Sequence, residues 1–379
     1  MLNKPLLADF KPIVAKPEMS RNESCWCQSG RKWKRCHKDR QSANRLPEAA
    51  LHAEVYKQAQ FTTCLHPSAP ASCSFGPIRS HTVQRATALK AISEDGHVLS
   101  GRDARPGKPA EFLLERVGIN SASTFRGFCS KHDGEAFRDA DRATDVTEWI
   151  AFLLGYRALS YERYMKDISI PLLEKYRDHL DAGLPFEAQE RIQRYIHGNL
   201  FTSRLAVIEH ERHKSRWDIA LQQGKPEGFK WACLTFDGIL PIVASGAYYP
   251  EYDFAGKRLQ TLTSPIGTLN MLTFNVVVIG NNTKIVFGWL DRKAQSSQLI
   301  DSFLSLEQEY MASSIIQFFF DTSDNIFVTP SWWESLDRKL KKKLAALLAN
   351  STPGDKDPNG LRPLSKELSP IALGEAECH

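Results

Sequence analysis

The chain has 379 residues, 42% of them hydrophobic, and a net charge of +5. That length suits two or three domains with cores of their own, and the composition is that of a globular protein. No run of eighteen apolar residues occurs, which excludes a membrane-spanning helix.

The first stretch, MLNKPLLADFKPIVAKPEMS (1–20), is broken by Pro5, Pro12 and Pro17 and lacks a small-residue cleavage site. It reads as an N-terminal extension and not as a signal peptide. The expected compartment is therefore the cytosol, where thiols stay reduced and clustered cysteines serve metals or catalysis. Six of the eight cysteines lie within the first 129 residues. Residues 21–45 form a compact basic module, with eight Lys or Arg against Glu23 and Asp39, so this short segment carries the whole net excess of the chain. A patch of this kind suits a polyanion or an acidic protein surface, and a solvated charged face is the plainer alternative.

Residues 42–60 suit a short helix. The region 61–138 is rich in Cys, His and turns, with a helix expected near 83–93, a stop at Asp95-Gly96 and a strand at His97–Leu99. A helical hairpin is expected over 139–225. Its first helix would open at Asp145 as N-cap with Glu148 behind it, and Trp149, Phe152, Leu153, Tyr156, Leu159 and Tyr164 would face a core. Gly183 and Pro185 separate it from a second helix, Phe186 to about Gln223.

From 228 to 349 the texture is β-branched and aromatic. FKWACLTF, ILPIVASGAYY, LNMLTFNVVVIG and TKIVFGWL read as strands of a mostly antiparallel domain, with GNNT (Gly280–Thr283) as a hairpin turn. DSFLSLEQEYMASSIIQFFF reads as a helix running into a strand. NIFVTP reads as a last strand, and a basic amphipathic helix follows. The tail, 350–379, is Pro/Gly-rich and is expected to lack structure. The fold class is thus α+β, with no internal repeat.

Cys25-x-Cys27 and Cys36-His37 supply three thiolates and an imidazole, the donors of a closed tetrahedral zinc site. Gly30 lets the loop bring the two pairs together. With Zn²⁺ the site carries −1, which the surrounding Lys and Arg offset. The unit has almost no core, so metal binding would supply its folding energy. The stretch CWCQSGRKWKRCH resembles the SEC-C motif, a small zinc-binding element found in many bacterial proteins. That resemblance places Cys25, Cys27, Cys36 and His37 on ligand positions, and Ser29, Gly30, Lys32, Trp33 and Lys34 on accompanying ones. Trp26 stands where the family usually has Pro. The resemblance implies zinc as cofactor and contact with protein or nucleic acid, here through Arg31, Lys32, Trp33, Lys34, Arg35 and Lys38.

A second group, Cys64, Cys73, Cys129 and His132, can complete another four-donor site, with His66 and His81 nearby in sequence. Buried cysteines and a polar histidine are the alternative. A cysteine pair, a Ser-His leading into a helix and a late Cys-x2-His also resemble a degenerate HNH (treble-clef) nuclease layout. There His81 would be the catalytic base, Asn120 the middle residue, and Asp133 would stand where the family has a metal-binding histidine. That layout implies Mg²⁺ or Mn²⁺ and a phosphodiester substrate.

His210 and His213 of EHERH lie at helical spacing but read as a charged face. Trp332-Trp333 with Glu334 reads as core packing or an aromatic surface. Asp237 and Asp291 fall at strand ends with no partner in sequence. The leading reading is a bacterial cytosolic zinc protein that acts by binding nucleic acid, ribosome or an acidic partner. The alternatives are an HNH-like, defence-type nuclease centred on His81, or a small-ligand site in the β domain.

Overall fold

A computed structural model describes residues 10–59, 63–101, 114–262, 268–290, 294–349 and 356–379. In chain order these form helix α1 (Glu48–Ala59), strand β1 (Ser80–His81), a π-helical turn (Arg85–Leu89) running into α2 (Lys90–Ile92), strands β2 (His97–Ser100), β3 (Glu115–Gly118) and β4 (Thr124–Phe125), and helix α3 (Ser130–Asp141). The long helices α4 (Glu148–His179) and α5 (Phe186–Gln223) follow. Then come β5 (Lys230–Phe236), β6 (Ile242–Tyr248), β7 (Leu272–Ile279), β8 (Asn282–Trp289), α6 (Gln295–Leu304), α7 (Gln308–Thr322), β9 (Ile326–Val328), α8 (Pro330–Ser335), α9 (Arg338–Ala349) and β10 (Leu373–Cys378). The protein is α+β. No helix among the described residues is long and apolar enough to cross a membrane. The residues divide into two compact units, one of 10–59 and 163–212, the other of the remainder.

The first unit holds the basic module, α1 and parts of the two long helices. The module has no extended strand, only a bridge between Ser24 and Lys32 and two 3₁₀ turns, Trp33–Arg35 and Arg40–Ser42. Its small core is Ile13, Cys25, Trp26, Cys27 and Trp33, with Phe186 packed against it. Gly183 turns α4 into α5 with φ near +73°, a backbone conformation that favours glycine, and its N–H donates to the Arg40 carbonyl.

The second unit is built on an eight-stranded antiparallel sheet in the order β10-β5-β8-β7-β6-β9-β2-β3. Gly280 and Asn281 form the two-residue β7–β8 turn. The sheet buries Phe274 and Phe287 against Phe318 and Phe319 of α7. In the start of α4, Phe152 stacks on Trp217 with centroids 5.0 Å apart.

The structure corrects several expectations. The Phe318-Phe319-Phe320 run stays helical: α7 is buried from Met311 to Asp321, so its apolar residues face protein all round, as suits a core helix. The α4 cap is Thr147, whose Oγ1 accepts the Ile150 N–H, while Asp145 accepts the Val146 N–H. The tail is not without structure, because β10 pairs with β5 and covers that sheet edge. At the other end β2 and β3, from the Cys/His-rich region, join the same sheet through β9. A second, two-stranded sheet pairs β1 with β4 and leads into α3.

Candidate metal centres and an adjoining cavity

In the first centre, donor atoms of Cys25, Cys27, Cys36 and His37 all lie within 4.8 Å of one another. His37 Nδ1 is 3.3 Å from Cys25 Sγ and 3.2 Å from Cys36 Sγ, and Cys27 Sγ is 3.5 Å from Cys36 Sγ. A zinc tetrahedron with Zn–S of about 2.3 Å and Zn–N of about 2.0 Å has edges of roughly 3.5–3.8 Å. The donor set therefore fits a closed four-coordinate metal. Local backbone explains the fit. Positive φ at Gln28 and Gly30 folds the loop back, the Cys25 N–H donates to the Arg31 carbonyl, and the Ser29 hydroxyl lies 3.2–3.4 Å from the Cys27 and Cys36 sulfurs.

Behind the ligands sits a buried carboxylate. His37 Nε2–H donates to Asp181 Oδ2 at 2.9 Å, which leaves Nδ1 for a metal, and Arg40 Nε and Gln193 Nε2 donate to the same carboxylate. Burial opposes charge on His37, but Asp181 and Cys27 outweigh it and carry its pKa to about 11, so a metal at Nδ1 would displace a proton from it. Hydrogen bonds from Cys25 and Cys36 drive the Cys27 thiol well below its ordinary value. Trp26 covers the imidazole at 4.5 Å and meets Phe186 edge-on.

Donor atoms of Cys64, Cys73, Cys129 and His132 likewise lie within 4.8 Å of one another. His132 Nδ1 is 3.4 Å from Cys64, 3.6 Å from Cys73 and 3.4 Å from Cys129. Cys129 precedes α3, and the third residue on, His132, falls in its first turn. Burial would raise the Cys129 pKa, but hydrogen bonds from the His132 N–H and from Ser74 bring it to about 7. The tautomer is set by a relay: His132 Nε2–H donates to Ser72 Oγ at 2.9 Å, and that hydroxyl donates to the Ser68 carbonyl at 3.1 Å. His66 stacks on His132 at 4.0 Å and is a neighbour of the donor set.

A family model for the SEC-C motif matches residues 21–39. This segment is a SEC-C motif. No curated protein and no solved structure matches the chain.

The SEC-C motif does not offer all of its predicted contact residues. Trp33 is 9% exposed and belongs to the motif's core, and Arg31 is ion-paired with Asp178. Lys32, Arg35 and Lys38 are exposed, and Lys34 is half-buried.

His81 lies on β1 and lines a cavity of about 210 Å³ with Arg79, Ser80, Arg85, Asp133 and Arg157. Its Nε2–H points to the Ile119 carbonyl at 3.3 Å, which leaves Nδ1 as the basic nitrogen. Burial lowers its pKa, which favours the neutral ring. Asn120 is turned to Arg85, whose Nη1 donates to its Oδ1 at 2.8 Å. Arg157 is held by Asp141 at 2.8 and 3.1 Å and lies over the Phe137 ring. Three of the lining residues each bury a polar atom that makes no hydrogen bond: Ser80 Oγ, Asp133 Oδ1 and Arg157 Nε.

Other candidates fall away. His210 is buried, its Nδ1 bonds the Ala206 carbonyl, and burial lowers its pKa to about 3. Trp333 stacks on Phe320, and Trp332 Nε1 donates to the Leu368 carbonyl. Asp291 lies outside the described residues. Sequence reasoning missed Asp181, Ser72 and Arg157. Asp181 pairs with His37 across 144 positions, so no local spacing marks it. Ser72, one residue before a ligand, carried a usable signal.

Proposed function

We propose that this is a cytosolic two-zinc protein that acts by binding, with the SEC-C motif presenting Lys32, Arg35 and Lys38 to a polyanion. The observation that carries the reading is the pair of closed Cys₃His donor sets. Four protein donors leave no coordination position for water, so both metals serve as structural staples. The exposed cations of the first centre then stand on a rigid frame, a low-entropy arrangement for phosphate contact. Titration of the zinc-loaded chain with DNA or RNA at several salt concentrations tests this. Binding should weaken steeply with salt, and the triple variant Lys32→Ala, Arg35→Ala, Lys38→Ala should lower the log–log slope by two to three, at about 0.9 per phosphate lost. An unchanged slope contradicts the reading, and salt-independent capture points to a protein partner.

A second reading is supported by the cavity: an HNH-like phosphodiesterase. His81 Nδ1 would take a proton from water, and the arginines would hold a phosphate. Asp133 offers a carboxylate for Mg²⁺ or Mn²⁺, which would polarise the phosphate. Plasmid cleavage that needs the divalent ion and disappears in His81→Ala, with zinc content unchanged, is the expected result. Equal or absent cutting by both proteins removes the reading.

A further inference from the structure

We infer that the second centre carries its own binding surface, one that takes an unpaired nucleic-acid strand, with Phe75 stacking on a base and the arginine-lined cavity receiving phosphate. The starting point is the loop between Cys73 and β1. Phe75 is 88% exposed, the most open large apolar side chain among the described residues. A lone exposed apolar side chain is ordinary on a mobile loop, where it costs little. This loop is pinned. The Ser74 hydroxyl meets Ser130 Oγ at 3.0 Å, Pro77 bridges Cys129, and the Ile78 N–H donates to the Phe128 carbonyl. The metal-ligand set closes it at one end and the β1–β4 pairing at the other. A fixed backbone therefore holds an aromatic ring in water, beside Ile78, which is also exposed.

Charge says what would cover it. Four residues beyond Phe75 is Arg79, at most about 14 Å along the chain, and Arg79 opens the cavity with Arg85 and Arg157. Asp141 is taken up by Arg157, which leaves Asp133 as the acid opposing two further arginines. Arg126 reaches the same loop through the Pro77 carbonyl. Arg79, Arg85 and Arg157 are three guanidinium groups lining one cavity, against the two carboxylates of Asp133 and Asp141. Guanidinium groups are the forked donors that bind phosphate oxygens in pairs. An aromatic platform four residues along the chain from an arginine-lined cavity matches a single strand. In a duplex the base faces are already stacked, so a protruding ring finds no partner there. The surface is independent of the SEC-C motif and holds whether or not His81 cleaves.

The test uses full-length, zinc-loaded protein carrying Lys32→Ala, Arg35→Ala and Lys38→Ala, so that contacts through the SEC-C motif are removed. Fluorescence anisotropy compares a labelled oligothymidylate with its duplex form. Binding of the single strand should exceed that of the duplex, and Phe75→Ala should weaken it roughly tenfold, the share of one stacked base. Phe75→Trp should retain it, and Arg79→Ala should reduce the salt slope by about 0.7. Phe75 is too exposed to matter for folding, and unchanged zinc content in each variant confirms that. Absence of single-strand binding, equal preference for duplex, or equal affinity of Phe75→Ala and parent overturns the proposal.

Discussion

The two Cys₃His centres use the same donors, the same imidazole nitrogen and nearly the same distances, yet they are built in opposite ways. In the SEC-C motif the ligands span 12 positions and the supporting carboxylate, Asp181, comes from 144 positions away. In the second centre the ligands span 68 positions, and the supporting hydroxyl, Ser72, adjoins a ligand. Closing the longer loop costs about 1.5 kcal/mol more chain entropy. The second centre meets that cost with the β1–β4 pairing and the buried aromatic cluster of Phe125, Phe128 and Phe137 beside its ligands, whereas the core about the SEC-C motif has five residues, two of them its own ligands. One metal should therefore fold its surroundings, and the other should fasten surroundings already folded.

The strongest way to break this contrast is Cys25→Ser. Residues 21–42 should lose amide-exchange protection entirely while the eight-stranded sheet keeps its own; loss across the sheet would contradict the division of roles. Cys129→Ser should leave the sheet folded and lower its unfolding free energy by several kcal/mol, read from urea transitions. The supporting groups sharpen the comparison. Asp181→Asn leaves Arg40 facing a neutral partner and should lower zinc affinity towards 100-fold, while Ser72→Ala should lower it nearer tenfold, both by competition with a chromophoric chelator. Equal losses would mean that the buried carboxylate adds nothing beyond a hydroxyl. The smallest effect belongs to Lys32→Ala, Arg35→Ala and Lys38→Ala, each expected to change stability by no more than about 0.5 kcal/mol.

The same contrast governs what could be read from the sequence. Cys25, Cys27, Cys36 and His37 are legible because the chain closes the site locally, with Gly30 marking the bend. Cys64, Cys73, Cys129 and His132 are legible as residue types, but what assembles them is the pairing of Ser80 and His81 with Thr124 and Phe125, which no local pattern encodes. The hairpin helices and the β7–β8 turn follow from periodicity and Gly280. Strand β2 follows from the turn at Asp95-Gly96, whereas β3 and β10 are short and mixed in polarity and become strands at the two edges of the sheet that receive them. The run SIIQFFF is apolar at every spacing, so only its burial on all sides decides for helix.

Metal content measures the central claim most directly. Elemental analysis of the purified full-length chain should give two zinc ions per molecule, falling to one in Cys25→Ser and to one in Cys129→Ser. A single zinc in the parent, or no loss in either variant, would contradict an account built on two closed centres.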